Sequence, residues 1–265
     1  MKYFSVRNRA ILAELVRADF KVRYQGSILG YAWSLLRPLF LFAVLYVIFV
    51  YIFPLGNSIE HFPVYLLTGI IFWNFFAEAT SMGLLSVVNR GDLIRKINIP
   101  KYLLVISSAI SALINLFFGI LALVIFALLN GVFPSFSWLL IVPIIIELFI
   151  LSVGISFLLS SLYVKFRDVS YIWEVFVQIG FYSSMVIFPI SAVVEDLRKW
   201  FFLNPVTQIL QDARYVLATD TSITIWNTPG VGWIRILIPF LIILVLLVAG
   251  GFIFRHRSKT FAEDI

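Results

Sequence analysis

Three glutamates fall inside or at the ends of long apolar runs: Glu78, Glu147 and Glu174. A carboxylate at the centre of a bilayer costs about 2.5–3.5 kcal/mol on insertion scales, so Glu78 and Glu147 are expected to face protein or water. Two chemistries fit them: a proton or substrate relay, and a hydrogen-bonded contact between helices. No Asp/Glu/His chain links the two residues, which favours the contact.

Aromatic residues form the second chemical pattern. Phe72, Trp73, Phe75 and Phe76 cluster in one apolar run, Phe176, Phe181 and Tyr182 in a later one, and Trp200, Phe201 and Phe202 in a more polar stretch. Aromatic faces suit the C–H faces of sugar rings, so a conduit lined by them would pass a glycan without gripping it. Interfacial belts of Trp and Tyr are the alternative. Belts account for Trp138 and Trp233 better than for the cluster in mid-run.

Cationic residues supply the third. Arg7, Arg9, Arg17, Lys21 and Arg23 alternate with Ile11, Leu15, Ala18 and Val22 at helical spacing, as in a helix lying at the headgroup level. A Gly- and Ser-containing turn (Gly26, Ser27, Gly30) then leads to Arg37 and a wholly apolar run. Further on, Asn89 to Tyr102 is basic, with Gly91-Asp92 resembling a helix start and Pro100 an end. A short helix parallel to the membrane there would insert into a groove of a soluble partner; a solvated basic loop is the other reading.

These groups must be held by membrane helices. The chain has 265 residues, is 62% hydrophobic and only 13% charged, and cannot coat a soluble globule. It is read as an all-α integral membrane protein. With no cysteine, and with His61 and His256 in loops on opposite sides, neither disulfides nor a His- or Cys-based metal site is expected. The first apolar run begins after more than thirty residues and is long enough to span, so a cleaved signal is not expected.

Six spans are expected, at about 38–53, 62–88, 103–129, 138–163, 172–190 and 234–254. Asn130-Gly131 and Pro134 divide the third from the fourth. Residues 1–30 form an N-terminal cytoplasmic segment and 31–265 the membrane domain. Within the polar stretch 191–232, the segment 195–217 is apolar enough to dip into the bilayer. Counting Lys and Arg, an N-terminus inside puts sixteen on the inner side and four on the outer, which places both termini in the cytoplasm. This asymmetry accounts for most of the +6 charge, so no nucleic-acid partner is needed.

No G-x-x-x-x-G-K-[ST], H-E-x-x-H or G-x-S-x-G sequence occurs, so any ATP would be handled by another subunit. The Arg17–Leu39 stretch, the basic loop ending Asn98-Ile99-Pro100, YVKFRDVSYIWEVFVQIGFYSSMVIFPI (Tyr163 to Ile190) and FFLNPVTQILQDARY (Phe201 to Tyr215) together resemble the type-2 ABC transporter permeases that export polysaccharides, such as O-antigen, capsule and teichoic acid. The resemblance covers essentially the whole chain, in order.

It implies a homodimer of this chain with a separate cytoplasmic ABC ATPase carrying the ATP and magnesium, with no cofactor in this chain. It also implies export of a lipid-linked glycan across the cytoplasmic membrane. The N-terminal amphipathic helix would lie at the ATPase interface. Arg90, Asp92, Arg95, Lys96 and Lys101 would belong to the coupling-helix region, and Lys165 and Arg167 to a smaller contact. Segment 195–217 would form re-entrant helices at the exit. Beside what the resemblance implies, the aromatic reading puts Phe72, Trp73, Phe76, Phe176, Phe181, Tyr182, Trp200 and Phe201 along the substrate pathway, and the fork geometry of guanidinium suits Arg23 and Arg37 to the substrate's diphosphate. Three alternatives stand beside this one: a permease for a drug or small lipid, a polytopic enzyme on polyprenyl-linked sugars using Glu78 or Glu147 as base, and a proton-coupled secondary transporter.

Overall fold

The computed structural model describes residues 6–24, 30, 32–53, 59–229 and 231–264, the side chains of Arg23, Tyr24, Ala262 and Asp264 excepted. Among the described residues every regular element is helical. The α-helices are α1 (Val6–Tyr24), α2 (Ala32–Val47), α3 (Phe62–Leu85), α4 (Gly91–Lys96), α5 (Tyr102–Leu129), α6 (Ile141–Tyr163), α7 (Val169–Ser183), α8 (Glu195–Phe201), α9 (Pro205–Leu217), α10 (Trp233–Arg257) and α11 (Phe261–Asp264). The turn at Gly26-Ser27 lies outside the described residues.

Among the described residues, five stretches are long and apolar enough to cross a bilayer: Ala32–Ile52, Phe62–Leu85, Tyr102–Leu129, Phe136–Tyr163 and Trp233–Arg257. The first begins earlier than the sequence predicts. Helix α2 is already formed at Ala32, so Pro38 lies inside it and Arg37 within the span rather than at its edge. Proline costs a helix interior about 3 kcal/mol. In an apolar environment a frayed chain with unpaired amides is worse, so the helix runs through.

The run expected at 172–190 behaves differently. Helix α7 has 15 residues, about 22 Å at 1.5 Å per residue against a hydrocarbon core of about 30 Å. Beyond Ser183 the chain leaves the helix and continues through buried Met185, Val186 and Ile187 to Ile190. Met185 takes a left-handed backbone conformation, φ 56°. The third span ends where Asn130-Gly131 predicts, with Gly131 at φ 79° and Val132 N donating to Ala127 O at 2.9 Å.

Helix α3 is apolar around most of its circumference and is buried accordingly, among α2, α5, α6, α7 and α9. Leu66, Leu67, Ile70, Phe72 and Phe75 have almost no exposed surface. Helices α6 and α10 pack back to back, close enough that a Cβ on Gly250 would collide with the Gly154 carbonyl oxygen. Toward α3, α6 presents Ser152, Ser156 and Ser160, one turn apart and fully buried. Ser152 and Ser156 hydroxyls return to their own helix, at Leu148 O and Ser152 O.

Two smaller clusters mark the two ends of the bundle. At one, Leu15 of α1, Ile94 of α4, Leu103 of α5, Val164 after α6, Phe254 of α10 and Phe261 of α11 pack together. At the other, Ile190, Phe202, Ile225 and Ile236 meet. Helices α1 and α11 therefore share one end. Helix α7 begins at that end, and the chain following it arrives at the opposite one.

Candidate functional site

Helices α2, α3, α5 and α7 enclose a half-open cavity of about 560 Å³. Asn74, Glu78 and Ser81 recur on α3 at the spacing that puts side chains on one face. With Asn115 of α5 they make the polar wall, while Trp33 and Arg37 line the cavity from α2 and Val177 from α7. The Asn115 amide donates to Glu78 Oε1 at 2.6 Å. The carboxylate that a relay would need is thus tied to a neighbouring helix by a residue that the sequence reading did not single out. Arg37 is exposed. The side chain of Arg23 lies outside the described residues.

The aromatic residues named from the sequence separate into two sets. Phe72 is wholly buried, and Trp73 and Phe76 nearly so. Trp73 meets Phe76 at 5.3 Å between ring centres and Phe181 of α7 at 6.1 Å, edge to face. Trp173 joins the same seam, its indole N–H donating to Thr80 Oγ1 at 3.2 Å. These rings hold α7 to α3. Phe176 and Tyr182, by contrast, turn outward, as do Ile172 and Ile179 on the same helix. On α8, Trp200 is exposed with the Arg235 guanidinium 5.6 Å over its ring, and Phe201 packs on the cluster of Ile190, Phe202, Ile225 and Ile236.

Segment 195–217 folds as two short helices, α8 and α9. Asn204 caps α9 by accepting from Val206 N at 3.0 Å, with Pro205 in the first turn. One turn before its end stands Arg214, a fully buried guanidinium. Its Nε donates to Tyr65 O at 3.1 Å, Nη1 to Met185 O at 2.7 Å and to Tyr65 Oη at 3.1 Å, and Nη2 to Val186 O at 2.6 Å. A Cβ on Gly69 would collide with this guanidinium and stand 2.8 Å from Val186 O. One side chain therefore joins α9, the start of α3 and the turn after α7. It is held by carbonyl dipoles and a phenol rather than by a carboxylate.

Glu147 faces protein as well. The Gln208 amide of α9 lies 3.5 Å from Glu147 Oε2 and donates to Asp212 Oδ2 at 2.7 Å. Glu174, on α7, is exposed.

At the end shared by α1 and α11, the basic stretch forms α4 over Gly91–Lys96, with its end at Ile97 rather than at Pro100 because Ile97 turns extended. Ile94 and Ile99 are sunk in the cluster below, while Asp92, Arg95 and Lys96 are exposed. Arg90 points inward: it forms an ion pair with Asp19 of α1 and donates to Ser107 Oγ at 3.1 Å. Ser111 adds a bond to the same Asp19 at 3.4 Å. Asn8 meets Tyr102 at 3.3 Å, so α1 runs beside the first turns of α5 in the same direction. Lys101 is bonded to Ser258 O, and partial burial lowers its pKa from the ordinary lysine value. Lys165 and Arg167 are exposed, lying over the rings of Phe166 and Tyr163.

Comparison with known proteins bears on this arrangement. The family described as ABC-2 type transporter matches residues 12–218. The chain is 27% identical to the O-antigen export system permease protein RfbA of Klebsiella pneumoniae over 254 residues, 96% of this chain and 94% of that protein. Identity is 24% over 259 residues to the protein of the same name from Myxococcus xanthus, covering 97% and 96%. To the polysialic acid transport protein KpsM of Escherichia coli it is 23% over 212 residues, covering 80% and 82%. A match over most of the chain, carried by apolar helices around a central buried one, means that this protein belongs to the ABC-2 type transporter family.

Proposed function

We propose that this chain is the membrane permease of an ATP-driven exporter of lipid-linked polysaccharide, working as a homodimer with a cytoplasmic ABC ATPase. The observation that carries the reading is the near full-length similarity to relatives named as O-antigen export permeases. The similarity to a polysialic acid transporter points to the same substrate class. Catalysis of ATP hydrolysis then belongs to the partner, where the nucleotide and magnesium bind.

Several features support a six-span topology with both termini inside. The segment after α6 and the end of α10 meet in one cluster, while the chain after α7 and the start of α10 meet in the other. The chain from Val169 to Ile190 must then cross, α7 doing so with a non-helical extension. Sixteen of the twenty Lys and Arg fall on the side that this assigns to the cytoplasm. Helices α8 and α9 are read as the re-entrant pair at the exit, held by Arg214. Helix α1 is read as the interface helix at the ATPase.

For the pathway, the α2–α7 cavity is the inner vestibule, with Arg37 at hand for a diphosphate. No residue of α7 is buried within one chain. Its outward Phe176, Ile179 and Tyr182 are read as facing a second copy across the conduit. Arg95 and Lys96 on α4 are read as contacts to the ATPase, as are Lys165 and Arg167.

The test is co-purification from native membranes in mild detergent, with ATPase activity assayed on what accompanies the chain. A nucleotide-binding subunit that is lost when Arg95 and Lys96 are both replaced by Glu is the expected result. A stable chain with no such partner and no associated ATPase activity would overturn the reading.

A further inference from the structure

Between the start of α5 and the end of α10 lies a cavity of about 460 Å³, separate from the α2–α7 vestibule and lined by no residue of α2 or α7. Lys101, Arg255 and Lys259 stand around it, and among the described residues no carboxylate lines it. Arg255 and Lys259 have no ion-pair partner among the described residues. The remainder of the wall is mostly apolar, with Ile99, Pro100, Phe157 and Phe254 beside Tyr102 and Ser258, and Gly251 lies one helical turn before Arg255. A Cβ added at Gly251 would meet nothing within 4 Å, so the α10 surface running away from the cations is bare.

We propose that this slot binds an anionic glycerophospholipid of the inner leaflet, its phosphate among Lys101, Arg255 and Lys259 and an acyl chain laid along α10 over Gly251. The inference rests on the proposed orientation, which puts this end of the bundle at the cytoplasmic face. Charge and shape agree there. Three cations with no ion-pair partner among the described residues sit at headgroup level, and the uncharged groove begins one turn deeper, where a lipid changes from phosphate to hydrocarbon. Ile94 of α4 belongs to the same apolar cluster as Leu103 and Phe254 at these helix ends. A lipid seated in the slot therefore braces the helix ends that support the proposed coupling helix. The slot shares no lining residue with the α2–α7 cavity proposed for the transported lipid, and at about 460 Å³ it has room for part of one lipid and not for a glycan.

The permease, co-expressed with its ATPase, would be placed in nanodiscs of equal phosphatidylglycerol and phosphatidylcholine, and the lipids retained after detergent extraction counted by native mass spectrometry. Phosphatidylglycerol should be retained in preference. Each of K101Q, R255Q and K259Q should lower that preference by roughly fivefold, the effect of one surface cation. Gly251→Leu, which meets no neighbour, should also lower it by filling the groove with the cations intact. R257Q removes the same kind of charge from the same end of α10 outside the slot and should leave retention unchanged. Equal retention by wild type and the triple Gln variant, or no effect of Gly251→Leu, overturns the proposal. Lys259→Cys, in a chain with no cysteine of its own, separates the two readings. Labelling by an impermeant maleimide from the outer face would sink the topology, whereas inner-face labelling without lipid preference would sink only the lipid site.

Discussion

The guanidinium carbon of Arg214 lies 3.9 Å from the centre of the Tyr65 ring, while Nη1 of the same group donates to the Tyr65 hydroxyl. Tyr65 in turn donates to Gln211 Oε1 at 3.3 Å. An aromatic face and a phenol from α3 thus hold one cation of α9 from two directions. Replacing Arg214 by Met leaves the carbonyls of Tyr65, Met185 and Val186 without this donor. The expected loss is about 3 kcal/mol or more. Arg214→Lys should recover little of it, since an ammonium cannot reach acceptors arranged for a fork. Thermal unfolding in detergent, followed by tryptophan fluorescence, measures both; an unchanged midpoint for Arg214→Met would falsify the anchoring role.

Gly69 is the counterpart of that anchor. Gly69→Ala places a methyl group where the guanidinium sits, and the expected cost is about 1–3 kcal/mol of overpacking. The same melt reads it, and in Gly69→Ala the further change Arg214→Met should cost less than it does in the wild type, because the two share one space. Additive effects would show that they do not.

Asp19 and Arg90 tie α1 to the stretch that opens α4. Their side chains are 16% exposed each, so the pair is shielded without being sealed off. Asp19→Asn should loosen α1, and Asp19→Arg combined with Arg90→Asp should restore part of the loss. A double-mutant cycle on unfolding is expected to give a coupling of about 1 kcal/mol or more. Limited proteolysis near Tyr24 provides a second readout: cleavage should speed up in the single variants and slow again in the swapped pair.

Glu78 separates the transport mechanisms. If its work is the bond from Asn115, Glu78→Gln keeps a side chain able to accept that bond, and export should stay within a few fold of wild type. Glu78→Ala should instead lower stability by about 1–2 kcal/mol. Export abolished by Gln, in a protein that melts normally, would restore the proton-relay reading.

The sequence made the helical bundle legible because hydropathy alone marks long apolar helices, and Asn130-Gly131 marked the turn between two of them. It did not mark the end of α7, because Met185, Val186 and Ile187 are as apolar as the helix before them and leave it only to meet Arg214. Arg214 itself was readable: Leu210, Arg214 and Leu217 share one face of an amphipathic helix, so a cation lies on its apolar side. The Asp19–Arg90 pair was not, since 71 residues separate its members and nothing local links them. The aromatic residues were found, but composition does not distinguish a seam between helices from the lining of a path. Burial of Trp73 and Phe76 and exposure of Phe176 and Tyr182 make that division.

Helix α7 touches the rest of its own chain mainly through Trp173, Val177 and Phe181, and leaves the remainder of its surface uncommitted to folding. Substitutions on that free surface carry little penalty for assembly of the protomer. If those positions line the conduit as proposed, cargo selectivity can change there without changing the scaffold, and hybrid proteins that exchange only the outward positions of α7 test it.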